Sequence, residues 1–167
     1  MFRLEGKISC SAENLVGVLT DDKYRKEWDE YVHTMESIDP DVDGNECIYW
    51  RVKFPMPMTD REYVYYRKKV ETKPGRYVVL ARAAKLGDHK EATKKPIRVE
   101  TYEQYTFIEA IDDAHCAFRG YMCDDPKGDI PKKVINWAVK TAMPKFCDTM
   151  CNNAAVRALF LASHTNH

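Results

Sequence analysis

The chain has 167 residues, 44% of them hydrophobic and 31% charged, enough for one globular domain with a substantial core and too few for two. Its 26 basic and 26 acidic residues cancel, so no whole-molecule field draws it to nucleic acid, and any basic contact has to be a local patch. No apolar run has the length of a signal peptide or approaches the roughly 18 residues of a membrane span, which predicts a cytoplasmic protein whose six cysteines are reduced thiols.

Residues 2 to 9 alternate as a strand, with Phe2, Leu4 and Ile8 on one side. Ser11 then reads as a helix N-cap, and Ala12, Leu15, Val18 and Leu19 form an apolar stripe that predicts a short helix over 12 to 20. Asp21 to Arg25 break it and begin another turn. Residues 31 to 38 read as extended, and Asp39 to Asn45 as a turn by composition. Ile48, Trp50, Val52 and Phe54 alternate with Tyr49, Arg51 and Lys53, a strand that Pro55 and Pro57 stop before a second strand around Tyr63 to Tyr66. Thr59 with Glu62 imitates a helix capping box, but the aromatic and β-branched residues that follow have strand chemistry. Arg76 to Arg82 is another strand, 84 to 96 a polar loop, Ile97 to Ile111 one long strand and Ala114 to Cys123 the next, with a turn over Asp124 to Asp129. From Ile130 the period becomes helical. Val134, Ile135, Ala138, Val139, Ala142, Met143 and Phe146 cover an arc wide enough to predict burial on most sides, with Pro131 in the first turn and Pro144 kinking or dividing the helix.

Arg25 and Asp29 stand four apart, neighbours on a helix, where an exposed ion pair contributes roughly a few tenths of a kcal/mol. No motif for a hydrolase nucleophile, a phosphate loop, a dinucleotide or a zincin is present, which predicts that the protein is not an enzyme and needs no cofactor. The acidic loop near Asp41 lacks the spacing of a calcium loop, and Cys147 with Cys151 has no second pair at zinc-ligand spacing, so no metal is expected.

Three segments carry a resemblance: Trp50-Arg-Val-Lys-Phe-Pro-Met-Pro-Met-Thr-Asp-Arg-Glu-Tyr-Val-Tyr65, Tyr24-Arg-Lys-Glu-Trp-Asp-Glu-Tyr-Val32, and Ile130-Pro131 with Ile135-Asn-Trp-Ala138. In order, over roughly residues 2 to 153, they resemble the steroidogenic-acute-regulatory-related lipid transfer (START) domain. The resemblance implies an α+β helix-grip fold: a curved antiparallel sheet wrapped around a long C-terminal helix, enclosing a lipid cavity. The implied domain is 1–153, with 154–167 as a tail. The family begins with a further helix and strands, so the chain is expected to start inside the fold and leave a strand edge open.

In the phosphatidylcholine-binding branch of that family, the arginine matching Arg25 contacts the lipid phosphate and the aspartate matching Asp29 holds it. A guanidinium presents a rigid fork of donors to phosphate oxygens, which suits that role. Trp50, Tyr63 and Tyr102 match a cage that holds choline through cation–π attraction. Gln104 matches a polar lipid contact, and Cys10 and Val52 match cavity-lining positions. Leu19 stands where that branch has a tyrosine, removing one head-group hydrogen bond. Trp137 with Lys132, Lys133 and Lys140 would face a membrane as a gate.

The expected function is therefore to bind one phospholipid, phosphatidylcholine first, and transfer it between membranes through transient surface contact. An acyl-CoA thioesterase is the protein partner the resemblance allows. The alternatives are a shortened interaction module that no longer closes its cavity, and a binder of ceramide or sterol.

Overall fold

The hairpin from Asn45 to Lys73 sets the architecture, because its alternating residues put Ile48, Trp50, Tyr63 and Tyr65 on the inner face, while Cys47, Tyr49 and Val64 form a smaller buried group on the other. The computed structural model describes residues 1–42, 44–85 and 95–164, apart from the side chains of 39–42 and 158–164, so most of the polar loop expected over 84 to 96 lies outside the described residues. In chain order the elements are β1 (Phe2–Ile8), α1 (Ala12–Thr20), α2 (Asp22–Trp28), β2 (Val32–Val42), β3 (Asn45–Val52), β4 (Arg61–Lys73), β5 (Arg76–Ala83), β6 (Ile97–Val99), β7 (Tyr102–Asp112), β8 (His115–Asp124), α3 (Lys132–Trp137), a π-helical turn (Ala138–Ala142) and α4 (Met143–His164). The sheet order is β1-β8-β7-β5-β4-β3-β2, antiparallel throughout, with short β6 added parallel to the start of β4. This is the α+β helix-grip arrangement, with the sheet curving around the C-terminal helix.

Local chemistry explains the helices that open the cavity wall. The Ser11 hydroxyl accepts from the Asn14 N–H at 3.2 Å and starts α1. Asp21 serves both helices: its N–H closes α1 onto the Gly17 carbonyl, and its carboxylate accepts from the Tyr24 N–H at 3.0 Å to start α2. Arg67, buried in β4, donates to both carboxylate oxygens of Asp22 at 2.8 and 3.1 Å and to Glu46 at 2.9 Å, which fixes the first turn of α2 against the sheet.

Two buried groups share the inner face. One gathers Leu15, Val16, Val18, Ile108, Met150 and Ala154 where α1 meets α4. The other gathers Met35, Ile48, Tyr63, Tyr65, Val99 and Tyr102.

Three expectations need correction. The strand predicted over Ile97 to Ile111 is two, because Val99 and Tyr102 both face the core, which three residues of unbroken alternation cannot achieve. The chain breaks at Glu100 and Thr101, and β6 fills the stretch of β4, Arg61 to Tyr63, that lies before β5 begins to pair at Tyr65. The turn predicted over Asp39 to Asn45 is shorter, since strand backbone continues to Val42 and resumes at Asn45, with Gly44 at φ 74°. The C-terminal helix is not buried on most sides. Ile135 is 48% exposed and Val139 50%, because the first turns roof a cavity on one side and meet solvent on the other. At Pro144 helical backbone continues without a gap from Lys132 to His164, so the proline does not divide the helix. Pro144 has no N–H to offer the Lys140 carbonyl, and a π-helical turn directly precedes it.

Candidate lipid site

Between the sheet and the C-terminal helix lies a cavity of about 320 Å³, within the range of small-molecule sites and lined mainly by apolar side chains. Leu4, Phe118 and Met122 contribute from β1 and β8, Val52 and Phe54 from the β3 end, and Val134, Ala138, Met143 and Phe146 from the helix. Charge enters this lining at four positions: Arg25, Asp29, Lys53 and Asp124.

Arg25 reaches the cavity from the last turn of α2. Its Nε donates to the Asp29 carboxylate at 3.1 Å, and the side chain is only 12% exposed. Asp29 is the C-cap of α2, with its N–H on the Arg25 carbonyl and its other carboxylate oxygen accepting from the Tyr31 N–H at 3.1 Å. The helix end, the turn and the ion pair therefore fix one another. The guanidinium is flanked by two rings, Trp50 of β3 at 5.0 Å and Phe146 of α4 at 5.7 Å, each a cation–π contact. A buried guanidinium with one carboxylate partner keeps N–H donors for another anion.

Trp50 and Tyr63 are cross-strand partners in the β3–β4 register and stack at 5.0 Å between centroids. Tyr102 of β7 meets Tyr63 edge-on at 5.2 Å and Trp50 at 6.5 Å. Tyr65, two residues beyond Tyr63 on the same face, backs the group at 5.2 Å from Tyr102. Burial pushes the Tyr65 phenol up to about 12, and Tyr63 and Tyr102 upward as well, so all three stay neutral across the physiological range. The Trp50 indole N–H is buried and without a hydrogen-bond partner, an uncommon state for a buried donor and one that a ligand acceptor would relieve. Gln104 lines the cavity with its amide engaged along its own strand, accepting from the Tyr102 hydroxyl at 2.6 Å and donating to Thr106 at 3.2 Å.

The structure thus brings Arg25, Asp29, Trp50, Val52, Tyr63, Tyr102, Gln104 and Leu19 to one cavity. Cys10 is not part of that lining. It is buried in the core beside Cys116, in the group that α1 forms with α4. Trp137 covers the cavity and packs edge-on against Tyr31 at 6.1 Å, while Lys132, Lys133 and Lys140 point to solvent. Sequence reasoning missed Tyr65, Tyr31 and Asp124. The period of two from Tyr63 would have found Tyr65, whereas Asp124 was read as part of a turn and is in fact the last residue of β8. Among the described residues, no group of histidine, cysteine or carboxylate side chains is arranged to hold a metal.

The sheet, the gripping helix and the cavity with one charged aromatic end define a helix-grip protein with an amphipathic interior site. The chain belongs to the START-domain family: the family profile matches residues 1–158. It is similar to human phosphatidylcholine transfer protein, 37% identical over 150 residues, covering 86% of this chain and 69% of that protein. It is also similar to the human mitochondrial StAR-related lipid transfer protein 7, 31% identical over 140 residues, 80% of this chain and 37% of that one. The crystal structure of human STARD10 superposes with a TM-score of 0.85 at 22% identity, over 99% of this chain and 68% of that chain, which shows the shared fold. Among the described residues, no helix is long and apolar enough to cross a membrane.

Proposed function

We propose that this protein binds one phospholipid, phosphatidylcholine in the first place, and carries it between membranes without covalent chemistry. The observation that carries the reading is Arg25, a nearly buried guanidinium between two rings at the wall of an apolar cavity, with the Trp50, Tyr63 and Tyr102 cluster beside it. Arg25, held by Asp29, would take the phosphate; the partnerless Trp50 N–H and the Gln104 amide lie within the same polar end. The cavity faces of the three rings would take the trimethylammonium group, which no hydrogen bond can hold. The apolar walls would take acyl chains, at roughly 0.8 kcal/mol per buried CH₂.

Loading requires an opening, and the cover over the cavity suits one. Trp137 has its ring on the cavity side, Lys132, Lys133 and Lys140 face outward, and Ile135 and Val139 are half exposed on the same turns. Met56, 90% exposed in the β3–β4 connection beside Pro55 of the lining, adds an apolar tip. Such a surface fits transient contact with a lipid head-group layer.

The test is native mass spectrometry after incubation with vesicles of mixed phosphatidylcholine, phosphatidylethanolamine, ceramide and cholesterol. One added mass of phosphatidylcholine is expected, lost in Arg25→Ala while circular dichroism shows the fold retained. Loading of ceramide or cholesterol alone would overturn the head-group assignment, and loading by Arg25→Ala at unchanged affinity would overturn the phosphate role.

A further inference from the structure

Asp124 is the one cavity carboxylate that none of the foregoing uses. It ends β8, opposite Tyr102 in the β7–β8 register, and its side chain lines the cavity. The Tyr63 hydroxyl donates to its Oδ2 at 3.0 Å. Among the described residues no lysine or arginine lies within ion-pair distance of it, unlike Asp29, which Arg25 neutralises. Burial pushes its carboxyl up by more than the Tyr63 hydrogen bond and the α-amino group of Met1 draw it down, the mark of a charge only partly compensated. Such a group gains most when a cation arrives.

The order of groups along the wall gives that cation a place. The Arg25 guanidinium lies 5.0 Å over Trp50, Trp50 stacks 5.0 Å from Tyr63, and the Tyr63 hydroxyl holds Asp124. A positive group and a negative group thus sit at the two ends of one run of rings. We propose that Asp124 is the counter-charge for the ammonium of a zwitterionic lipid head group, and that it selects zwitterionic lipids over anionic ones. The proposal rests on the phospholipid reading above.

The rings alone attract a cation weakly and leave an anionic lipid unopposed. Phosphatidate would satisfy Arg25 just as well and fit the same acyl cavity. The carboxylate adds attraction for the ammonium and repulsion for any further negative charge, so discrimination comes from both signs at once. Tyr63 orients it: one carboxylate oxygen accepts from the phenol, which leaves the other for the head group.

The test compares the wild-type chain, Asp124→Asn and Asp124→Glu for loading from vesicles of phosphatidylcholine and of phosphatidate with the same acyl chains. Asparagine keeps an oxygen for the Tyr63 hydroxyl and removes only the charge. Phosphatidylcholine loading by Asp124→Asn should fall by about tenfold, the size of one modest charge contact. Phosphatidate loading should stay level or rise, and Asp124→Glu should recover part of the phosphatidylcholine loading. Equal loss of both lipids would make Asp124 a structural residue and overturn the proposal, as would no change in either. If the wild-type chain loads neither lipid, the phospholipid reading itself fails and the proposal falls with it; if wild type loads phosphatidylcholine and the variants match it, only the role of Asp124 falls.

Discussion

Asp29 accepts the Arg25 Nε–H through one carboxylate oxygen and the Tyr31 N–H through the other, so a single side chain fixes the turn after α2 and holds the cavity's guanidinium. Removing one partner of a buried pair leaves the other charge without compensation. Asp29→Asn should therefore destabilise the empty protein by about 3 kcal/mol. Phosphatidylcholine should restore part of that loss, because its phosphate supplies the missing negative charge. The check is thermal unfolding with and without lipid: the lipid-induced rise in Tm should be larger in Asp29→Asn than in wild type. An equal or smaller rise would place the phosphate away from Arg25.

Asp124 predicts the opposite balance. Its carboxyl is pushed above the ordinary value of 3.8, chiefly by burial, with Tyr63, Asp125 and the chain's α-amino group as the titratable neighbours. A raised folded-state value means that the protonated form is favoured by folding. The associated stability is fully present below about 3.8 and is lost as pH rises through the folded value. At neutral pH the ionised carboxylate is then a net cost to the empty protein. Asp124→Asn should be more stable than wild type at pH 7, and the two should converge near pH 4 and below. A variant less stable than wild type at pH 7 would show that the charge is already well compensated.

The buried phenols set the alkaline limit. Tyr49 is pushed up to about 12 by burial and by its hydrogen bond to Glu62, Tyr65 to about 12 by burial, and Tyr63 and Tyr102 upward as well. In the unfolded chain these groups ionise near 10, so stability present below pH 10 is lost as pH climbs toward 12. Phenolate absorbance should rise in two steps, the exposed tyrosines first and these four together with loss of the fold. A single smooth rise near pH 10 with circular dichroism unchanged would contradict their burial.

How far the sequence carried this structure depends on what its periodicity could report. Ile48, Trp50 and Val52 were placed on one face by alternation alone, and Ser11 by capping chemistry, because both signals are local, whereas Asp21 was read only as a break and its double role as the cap of both helices shows only in the fold. The break at Glu100 and Thr101 was missed because the apolar rhythm runs through it, with only the parity of Val99 against Tyr102 to betray it. The wide apolar arc of the last helix said neither that the space beneath it is a cavity nor that Ile135 and Val139 meet solvent. Arg25 and Asp29 were legible as a pair. That the pair is nearly buried, between a ring of β3 and a ring of α4, depends on contacts separated by 121 residues in the case of Phe146, which no local pattern encodes.

Arg61 ties two connections at the cavity rim. Its Nε donates to the Pro126 carbonyl at 2.8 Å and one terminal nitrogen to the Lys127 carbonyl at 2.9 Å, while the other donates to the Thr59 carbonyl. Its guanidinium lies 4.5 Å from the Phe54 ring. Phe54, Pro55 and Pro126 all line the cavity, so this one buried side chain staples the β3–β4 connection to the segment that leads into α3. Leucine would fill much of the space and bond none of the three carbonyls. Arg61→Leu should cost about 2 to 4 kcal/mol, less than three full desolvation penalties because the freed loops can turn toward water. Lysine should not rescue it, since a single ammonium cannot reproduce the planar fork. If the staple also keeps the rim closed, the variant should still load phosphatidylcholine but release it several-fold faster, with amide exchange increased at residues 54–60 and 125–130. Release of a fluorescent phosphatidylcholine to acceptor vesicles measures the first effect and hydrogen exchange the second. Lower stability with an unchanged release rate would confine Arg61 to the fold and move the gate elsewhere.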